Sequence, residues 1–248
     1  MIEIIDIEKS FDGQKVLQGV NLTIADREVM AIIGESGGGK TVLMRHLIGL
    51  MKPDKGSILV DGDDITVMGN KDLDKVRDKF GIVFQGSALF DSMTVFENIV
   101  FPLREKTDCN EKEILDRGER ALEDVGLTGI EEKYPSEISG GMKRRVALAR
   151  ALILGPGTIF FDEPTTGLDP IIMNSIHRLI IKTHEKYGFT GIIISHEIPE
   201  IFHVADKVAM LYRGRIIASG TPDEIMGVKD LVVKQFVSTC RDKDVEYA

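Results

Sequence analysis

The feature that most constrains the fold is a series of apolar runs, each three to five residues long. A run of this length suits a strand and is far short of the roughly 20 residues that cross a bilayer. In chain order, the runs are 29–33, 58–60, 80–84, 158–161, 191–194 and 208–211. Helical patterns separate most of them, which is typical of a buried, mostly parallel sheet, so the sequence predicts an α/β fold.

The amino-terminal segment has a different pattern, in which apolar and polar side chains alternate over 2–9 and 15–24. The dipeptide Asp12-Gly13 lies between the two stretches and is typical of a turn. Alternation makes one face of a strand apolar and the other polar. We therefore expect an antiparallel β subdomain with one face exposed to water.

Strand patterns stop between Gly86 and Leu154, where helical periodicity takes their place over 95–104, 111–125 and 142–154. No low-complexity linker interrupts the chain, so we interpret this stretch as a helical insertion within one compact unit. The predicted organisation is a core with the antiparallel β subdomain at 1–86 and 156–228, a helical subdomain at 87–155, and a carboxyl-terminal tail at 229–248.

Composition restricts the cellular setting and the partners. A net charge of −9 over 248 residues argues against general binding of nucleic acid, whose phosphates attract a surplus of Lys and Arg. The amino-terminal sequence interleaves acidic residues with isoleucines and lacks the pattern of a signal peptide, so we expect a cytoplasmic protein. Cys109 and Cys240 have no His or Cys at metal-binding spacing, and we expect both to be free thiols.

The segment GESGGGKT, Gly34–Thr41, fits the pattern G-x-x-x-x-G-K-[ST]. A capped Gly-rich turn is the structural alternative, but the flanking apolar strand and helical pattern favour a phosphate-binding loop. Backbone amides would bind ATP phosphates, Lys40 would reach the β and γ phosphates, and Thr41 would bind Mg²⁺. The residues of this segment and just after it that we expect to contact the nucleotide are Gly34, Glu35, Ser36, Gly37, Gly38, Gly39, Lys40, Thr41 and Val42.

An acidic pair, Asp162-Glu163, follows the apolar run 158–161. Ligands of parallel sheets bind at the carboxyl ends of the strands. We expect Asp162 to bind Mg²⁺, directly or through water, and Glu163 to orient or deprotonate the attacking water as general base. An isolated acidic pair would more often only solvate a loop, but this one follows a phosphate loop.

The nearest match to the guanine-binding motif of GTPases, Asn70-Lys71, has the wrong position and spacing, so a GTPase is disfavoured.

The string EISGGMKRRVALARAL occupies 137–152. Alone, its Ser139-Gly140-Gly141 would be a Ser N-cap followed by flexible glycines. After a phosphate loop and before an acidic pair, the string resembles the signature motif of ABC (ATP-binding cassette) ATPases. This resemblance covers essentially the whole chain. It implies a RecA-like P-loop NTPase fold, and it implies that Ser139, Gly140, Gly141 and Met142 contact nucleotide.

The resemblance assigns roles to four further residues. Phe11 matches the aromatic residue that stacks on adenine, although a packing role in the sheet would be equally expected without the family. Gln85 matches the Q-loop glutamine, which senses Mg²⁺ and the γ phosphate, and His196 matches the switch histidine, which contacts the γ phosphate. Asp169 matches the D-loop, and it is also an ordinary helix start before Pro. The histidines that we expect to be structural or solvated are His46, His177, His184 and His203.

In ABC ATPases, ATP lies between the phosphate loop of one subunit and the signature helix of another. This chain has each half once, so the resemblance implies a homodimer with two composite sites. Because we predict no membrane-spanning segment, transport would require a separate integral membrane permease. The helical subdomain is the expected contact, and the chain would touch the membrane only through that permease.

The string FQGSALFDSMTVFENIVFPLRE at 84–105, together with Met142, is similar to ATPases of MCE-type lipid transporters, the Mla (maintenance of lipid asymmetry) group. This similarity implies phospholipid transport between bacterial membranes, with MCE and small accessory subunits, at the cytoplasmic face of the inner membrane.

One alternative is an ABC ATPase for a soluble substrate, which would share the nucleotide site. A clamp on DNA or ribosomes is disfavoured by the single cassette without long heptad coils. A catalytically inactive nucleotide binder is disfavoured by the full set of site residues.

Overall fold

The computed structural model describes residues 1–241 and divides them into two compact units. The first unit comprises Met1–Asp78 and the chain from Phe189 onward, and the second comprises Lys79–Gly188. The second unit contains the predicted helical subdomain, 87–155, together with residues on either side of it, and the predicted domain boundaries stay a prediction. The end of the predicted tail, 242–248, lies outside the described residues.

The elements are numbered here in chain order. The strands are β1 (Ile2–Phe11), β2 (Gln14–Ile24), β3 (Val29–Ile33), β4 (Lys55–Val60), β5 (Asp63–Asp64), β6 (Phe80–Val83), β7 (Thr158–Asp162), β8 (Thr190–Ile194), β9 (Lys207–Tyr212) and β10 (Arg215–Gly220). The helices are α1 (Lys40–Leu47), α2 (Asn70–Arg77), α3 (Val95–Lys106), α4 (Glu111–Asp124), α5 (Gly140–Leu152), α6 (Pro170–Tyr187), α7 (Pro222–Gly227) and α8 (Leu231–Arg241). Short 3-10 helices occupy Pro135–Glu137 and Glu200–His203.

A parallel arrangement forms the centre of the first unit. Strand β3 pairs in parallel with β8 on one side and with β9 on the other, and β10 adds an antiparallel edge next to β9. Every residue of β3 and β8 is buried, as expected for short runs of aliphatic side chains that are covered on both faces. The predicted parallel sheet is confirmed for these three strands.

The first unit also contains an antiparallel sheet in the order β2-β1-β4-β5. Its predicted β1–β2 pair is confirmed. The prediction that the run 58–60 belongs to the parallel sheet is wrong, because this run lies in the antiparallel sheet. Strand β4 pairs antiparallel with β1, with Ile2 opposite Val60 and Ile4 opposite Ile58. Only alternate residues of the run are fully buried. Three apolar residues are too few to show whether a strand is covered on one face or on both.

Strand β10 and helix α2 are among the elements of the first unit that have no counterpart in the sequence predictions. Strand β10 has no fully buried residue, and its only apolar residues are Ile216, Ile217 and Ala218. Helix α2 is mostly charged and buries only Leu73 and Val76. In both elements the apolar residues are too few for the sequence prediction to recognise a strand or a helix.

The second unit combines a parallel strand pair with a set of helices. Strands β6 and β7 pair in parallel, and the rings of Phe80 and Phe160 meet edge to face with centroids 5.1 Å apart. Helix α5 packs against β6 and against α3, α4 and α6, so it is the central helix of this unit. Capping boxes at Thr94 and Asn110 start α3 and α4, which explains why their amino termini agree with the sequence prediction. Over the described part of the chain, no helix has both the length and the apolar character to cross a bilayer.

Candidate functional site

The predicted phosphate loop lies in the first unit, between the carboxyl end of β3 and the start of α1. Gly34 begins the loop with a φ of 148°, and a Cβ atom at this position would overlap the carbonyl oxygen of Leu211 in β9. Gly39, immediately before α1, has a φ of 99°. L side chains rarely adopt either conformation. The backbone path of the loop therefore requires these two glycines.

Lys40 is the first residue of α1, and its side chain is buried. Its ammonium group donates hydrogen bonds to the carbonyl oxygens of Gly34 and Glu35, both at 2.8 Å. The cation is thus held against the loop at the amino terminus of a helix, where free backbone amides add positive potential. A fixed cation beside helix-terminal amides has the chemistry of a phosphate site.

The other loop residues differ in their exposure. The exposed ones are Glu35, Ser36, Gly37 and Thr41, and the half-buried ones are Gly38 and Val42. The exposed Thr41 offers a hydroxyl oxygen, while Asp162 and Gln85 of the second unit offer a carboxylate and an amide oxygen. These are the hard oxygen donors that Mg²⁺ prefers, so the chemistry of the predicted ligands fits this ion.

Phe11 and His196 are the remaining predicted site residues of the first unit. Phe11 ends β1 with 40% of its surface exposed, and the Lys9 ammonium lies 5.6 Å from the ring centroid. His196 is half-buried and follows β8 after Ser195, whose amide donates to the carbonyl oxygen of Ile32 at 3.3 Å. The chain that leads to His196 is therefore attached to the strand that leads into the phosphate loop.

The predicted general base lies in the second unit, directly after Asp162 at the carboxyl end of β7. Glu163 has a φ of 48°, an uncommon value for a residue other than glycine. Its Oε2 atom accepts hydrogen bonds from Nε2 of Gln85 at 3.0 Å and from Oγ1 of Thr166 at 3.3 Å. The structure thus brings the predicted base and the predicted Q-loop glutamine together, and two donors orient the carboxylate.

The signature segment forms the start of α5. The hydroxyl oxygen of Ser139 accepts from the amide of Met142 at 3.3 Å, so the N-cap is confirmed. Ser139 and Gly140 are exposed, whereas Gly141 is buried and a Cβ atom there would lie 2.7 Å from Cγ2 of Ile172. The first turn of α5 therefore presents backbone amides at the surface next to a tightly packed glycine.

Asp169 is the N-cap of α6, and its Oδ1 atom accepts from the amides of Ile171 and Ile172, each at 3.0 Å. Pro170 follows at the first helical position, as is common. The helix-start interpretation is therefore confirmed. The D-loop role of this exposed aspartate stays a prediction.

The other histidines occupy positions that agree with structural or solvated roles. His46 is buried in α1 with Nδ1 2.7 Å from the carbonyl oxygen of Val42, and burial lowers the pKa of His46. His177 is buried with Nε2 3.5 Å from the hydroxyl oxygen of Thr165. His203 is exposed and His184 is half-buried.

Sequence reasoning did not identify Thr166, which donates to Glu163. The amide of Thr166 also approaches the carbonyl oxygen of Glu163 at 3.4 Å, which closes a short turn between them. A hydroxyl residue three positions after an acid in a Gly- and Pro-containing segment is the signal that could have indicated this contact. Without the turn geometry, that signal does not distinguish Thr166 from Thr165.

The chain is similar in sequence to a known protein family and to several ATP-binding proteins of transport systems. A family model described as ABC transporter matches residues 17–166. The chain is 41% identical over 237 residues to the probable ribonucleotide transport ATP-binding protein mkl of Mycobacterium tuberculosis, and it spans 66% of that protein's length. It is 39% and 37% identical over 247 residues to the intermembrane phospholipid transport system ATP-binding protein MlaF of Haemophilus influenzae and of Escherichia coli K12. Each of these two alignments includes 100% of the chain, and they include 94% of the Haemophilus influenzae protein and 92% of the Escherichia coli protein.

Two solved structures are also similar. The dimeric, post-hydrolysis ATP-binding cassette MJ0796 bound to ADP and Pi has a TM-score of 0.81 and 29% identity, covering 90% of this chain and 99% of that one. The cbiO1 protein from Clostridium perfringens, part of an ABC transporter complex, has a TM-score of 0.86 and 32% identity. This second match covers 100% of the chain and 98% of cbiO1. The predicted ABC ATPase fold is confirmed by these similarities.

The geometry at Gly34 gives a first prediction. We expect Gly34→Ala to weaken ATP binding by about tenfold or more, because the new methyl group must move the loop away from Leu211. The matched control is Gly62→Ala, since Gly62 also has a positive φ, of 89°, but has open space around it. Titration with a fluorescent ATP analogue measures both affinities. Equal affinities for the two variants would contradict the role assigned to this close approach.

Proposed function

Since this chain belongs to the ABC transporter family, we propose that it is the ATP-hydrolysing subunit of an ABC transporter, and that it works as a homodimer with a separate membrane permease that carries lipid. The observation that carries the proposed activity is the 3.0 Å hydrogen bond between Gln85 and Glu163. It orients a carboxylate directly after a parallel strand, where a general base is needed. The relative described as bound to ADP and Pi supports ATP as the substrate.

The first unit supplies groups that bind the nucleotide. Amides of the loop Gly34–Thr41 and the ammonium of Lys40 bind the phosphates, and Phe11 stacks on adenine. His196 contacts the γ phosphate. Because the Lys40 cation is already fixed by two carbonyl oxygens, little reorganisation is needed when the phosphates arrive.

The second unit supplies groups for the reaction. The Glu163 carboxylate orients the attacking water and accepts its proton. Gln85 keeps that carboxylate in one orientation through its amide hydrogen bond. Thr41, Gln85 and Asp162 would hold Mg²⁺, which when bound supplies positive charge that stabilises charge on the transferring phosphate.

A second copy of the chain completes the proposed site. The exposed first turn of α5, with Ser139, Gly140, Gly141 and Met142, would bind the nucleotide that sits in the phosphate loop of the other copy. Two-fold symmetry then gives two equivalent sites. The dimeric state named for the similar cassette MJ0796 supports this arrangement, and Asp169 would lie close to the junction between the copies.

The segment 84–105 is the proposed contact with the permease. Phe84 and Phe90 are 38% and 43% exposed, and exposed aromatic side chains are enriched at protein interfaces. This contact would hold the chain at the cytoplasmic face of the inner membrane, with MCE and small accessory subunits in the same complex. The chain would touch neither the membrane directly nor nucleic acid.

The names of the relatives indicate two different substrates. The phospholipid transport proteins are matched over 92–94% of their length, whereas the protein named for ribonucleotide transport is matched over 66% of its length. The more complete match supports a lipid. The higher identity of 41% to the latter protein makes a soluble substrate the second candidate.

The general base gives a direct prediction. We expect Glu163→Gln to reduce ATP hydrolysis by at least about a hundredfold, because the amide cannot accept the proton of water. ATP binding should persist, so the variant should accumulate as an ATP-bound dimer. Steady-state hydrolysis and analytical size exclusion with ATP measure the two effects. Glu119→Gln, at an exposed position of α4, is the matched control and should behave as wild type.

Turnover by Glu163→Gln at the wild-type rate would refute the assignment of the base. A loss of ATP binding together with hydrolysis would instead indicate that the substitution damages the nucleotide site. The dimer readout separates these two results.

The lipid proposal is tested on the native assembly. We expect a gently solubilised, affinity-tagged complex to contain an integral membrane permease, an MCE protein and co-purifying phospholipid, identified by mass spectrometry. The reason is that the contact at 84–105 binds a lipid permease. Recovery of a permease for a polar solute without an MCE protein or lipid would support the soluble-substrate alternative.

A further inference from the structure

Two loops of the second unit contact one arginine side chain that has no role in the assignments above. Arg144 lies in α5, just after the signature residues. Its Nη1 atom donates to the hydroxyl oxygen of Ser87 at 3.0 Å and lies 3.5 Å from the carbonyl oxygen of Phe84. Its Nη2 atom lies 3.4 Å from the carbonyl oxygen of Thr166. One guanidinium group therefore contacts both the loop that carries Gln85 and the loop that carries Glu163.

Both loops have backbone conformations that need support. Ser87 and Ala88 have φ values of 65° and 45°, and Glu163 has a φ of 48°. Such values cost free energy in residues other than glycine and persist only where surrounding contacts fix them. Arg150, also on α5, supports the first loop through the carbonyl oxygens of Ser87 at 2.9 Å and Ala88 at 2.8 Å.

The two arginines differ in what they join. Arg150 contacts only the loop of Gln85 in these bonds, whereas Arg144 spans from that loop to Thr166. Thr166 in turn donates to the carboxylate of Glu163. Arg144 therefore contacts the chain on both sides of the Gln85–Glu163 hydrogen bond.

We propose that Arg144 is a positioning residue for ATP hydrolysis, which sets the Gln85–Glu163 pair through its simultaneous contacts with Ser87 and Thr166. This inference rests on the proposed ATPase function. Because Arg144 belongs to the signature helix, it also links that helix mechanically to the groups that activate water. A planar guanidinium carries its donors on separate nitrogen atoms, so that Nη1 and Nη2 of Arg144 each reach a different loop.

The test uses Arg144→Gln and Arg144→Lys in the full-length chain. We expect Arg144→Gln to lower kcat by about tenfold with a change in KM for ATP of less than about twofold, because a displaced base slows the reaction and leaves ATP binding intact. Arg144→Lys keeps the charge and the aliphatic stem, so it provides a second test if the Arg144→Gln variant folds poorly. Its kcat should remain several-fold below wild type.

The effect should depend on Glu163. In the Glu163→Gln background, adding Arg144→Gln should leave ATP affinity and the ATP-bound dimer unchanged, since no base remains to be positioned. The matched control is Arg117→Gln, which removes a guanidinium bond to the carbonyl oxygen of Ile153 at 2.6 Å in the same unit. This control should retain wild-type kcat.

Several results would overturn the proposal. These are a wild-type kcat in Arg144→Gln, full restoration of kcat by Arg144→Lys, and loss of ATP affinity or of the dimer when Arg144→Gln is added to Glu163→Gln. The last result would show a structural role. Absence of hydrolysis in the wild-type chain would instead refute the proposed function itself, so the two failures are distinguishable.

Discussion

The parallel pairing of β3 with β8 and β9 is the constraint on which the first unit, with its proposed nucleotide-binding loop, depends. It places the carboxyl ends of three buried strands side by side, and the phosphate loop and His196 follow two of them. The third strand supplies Leu211, whose carbonyl oxygen allows only a glycine at position 34. A buried aliphatic sheet thus determines where the Lys40 cation and the backbone amides lie that we propose bind phosphate.

In the second unit, too, a parallel strand positions a proposed site residue: β7 ends at Asp162, and the next residue is the proposed base. Glu163 is held by side chains from two different loops, and α5 supports both loops through its arginines. In the proposed dimer the first turn of the same helix binds the nucleotide of the other copy.

The sequence was sufficient to predict the parts that depend on local patterns. The glycine spacing at 34–41 predicted the phosphate loop, and the apolar runs predicted the buried parallel strands. The run 58–60 was misassigned because three residues do not show which sheet a strand joins. The contacts of Thr166 and Arg144 could not be predicted, since they depend on turns that bring residues far apart in sequence within hydrogen-bonding distance.

The central claim is that the phosphate loop and the signature turn act on the same nucleotide only when they come from different copies of the chain. Cysteine cross-linking tests it most directly, with Ser36→Cys in one tagged copy and Met142→Cys in a second. Both copies also carry Glu163→Gln, Cys109→Ser and Cys240→Ser. The account predicts an ATP-dependent disulfide-linked heterodimer on a non-reducing gel. Absence of that heterodimer with ATP bound, or a cross-link within a single chain that carries both cysteines, would contradict it.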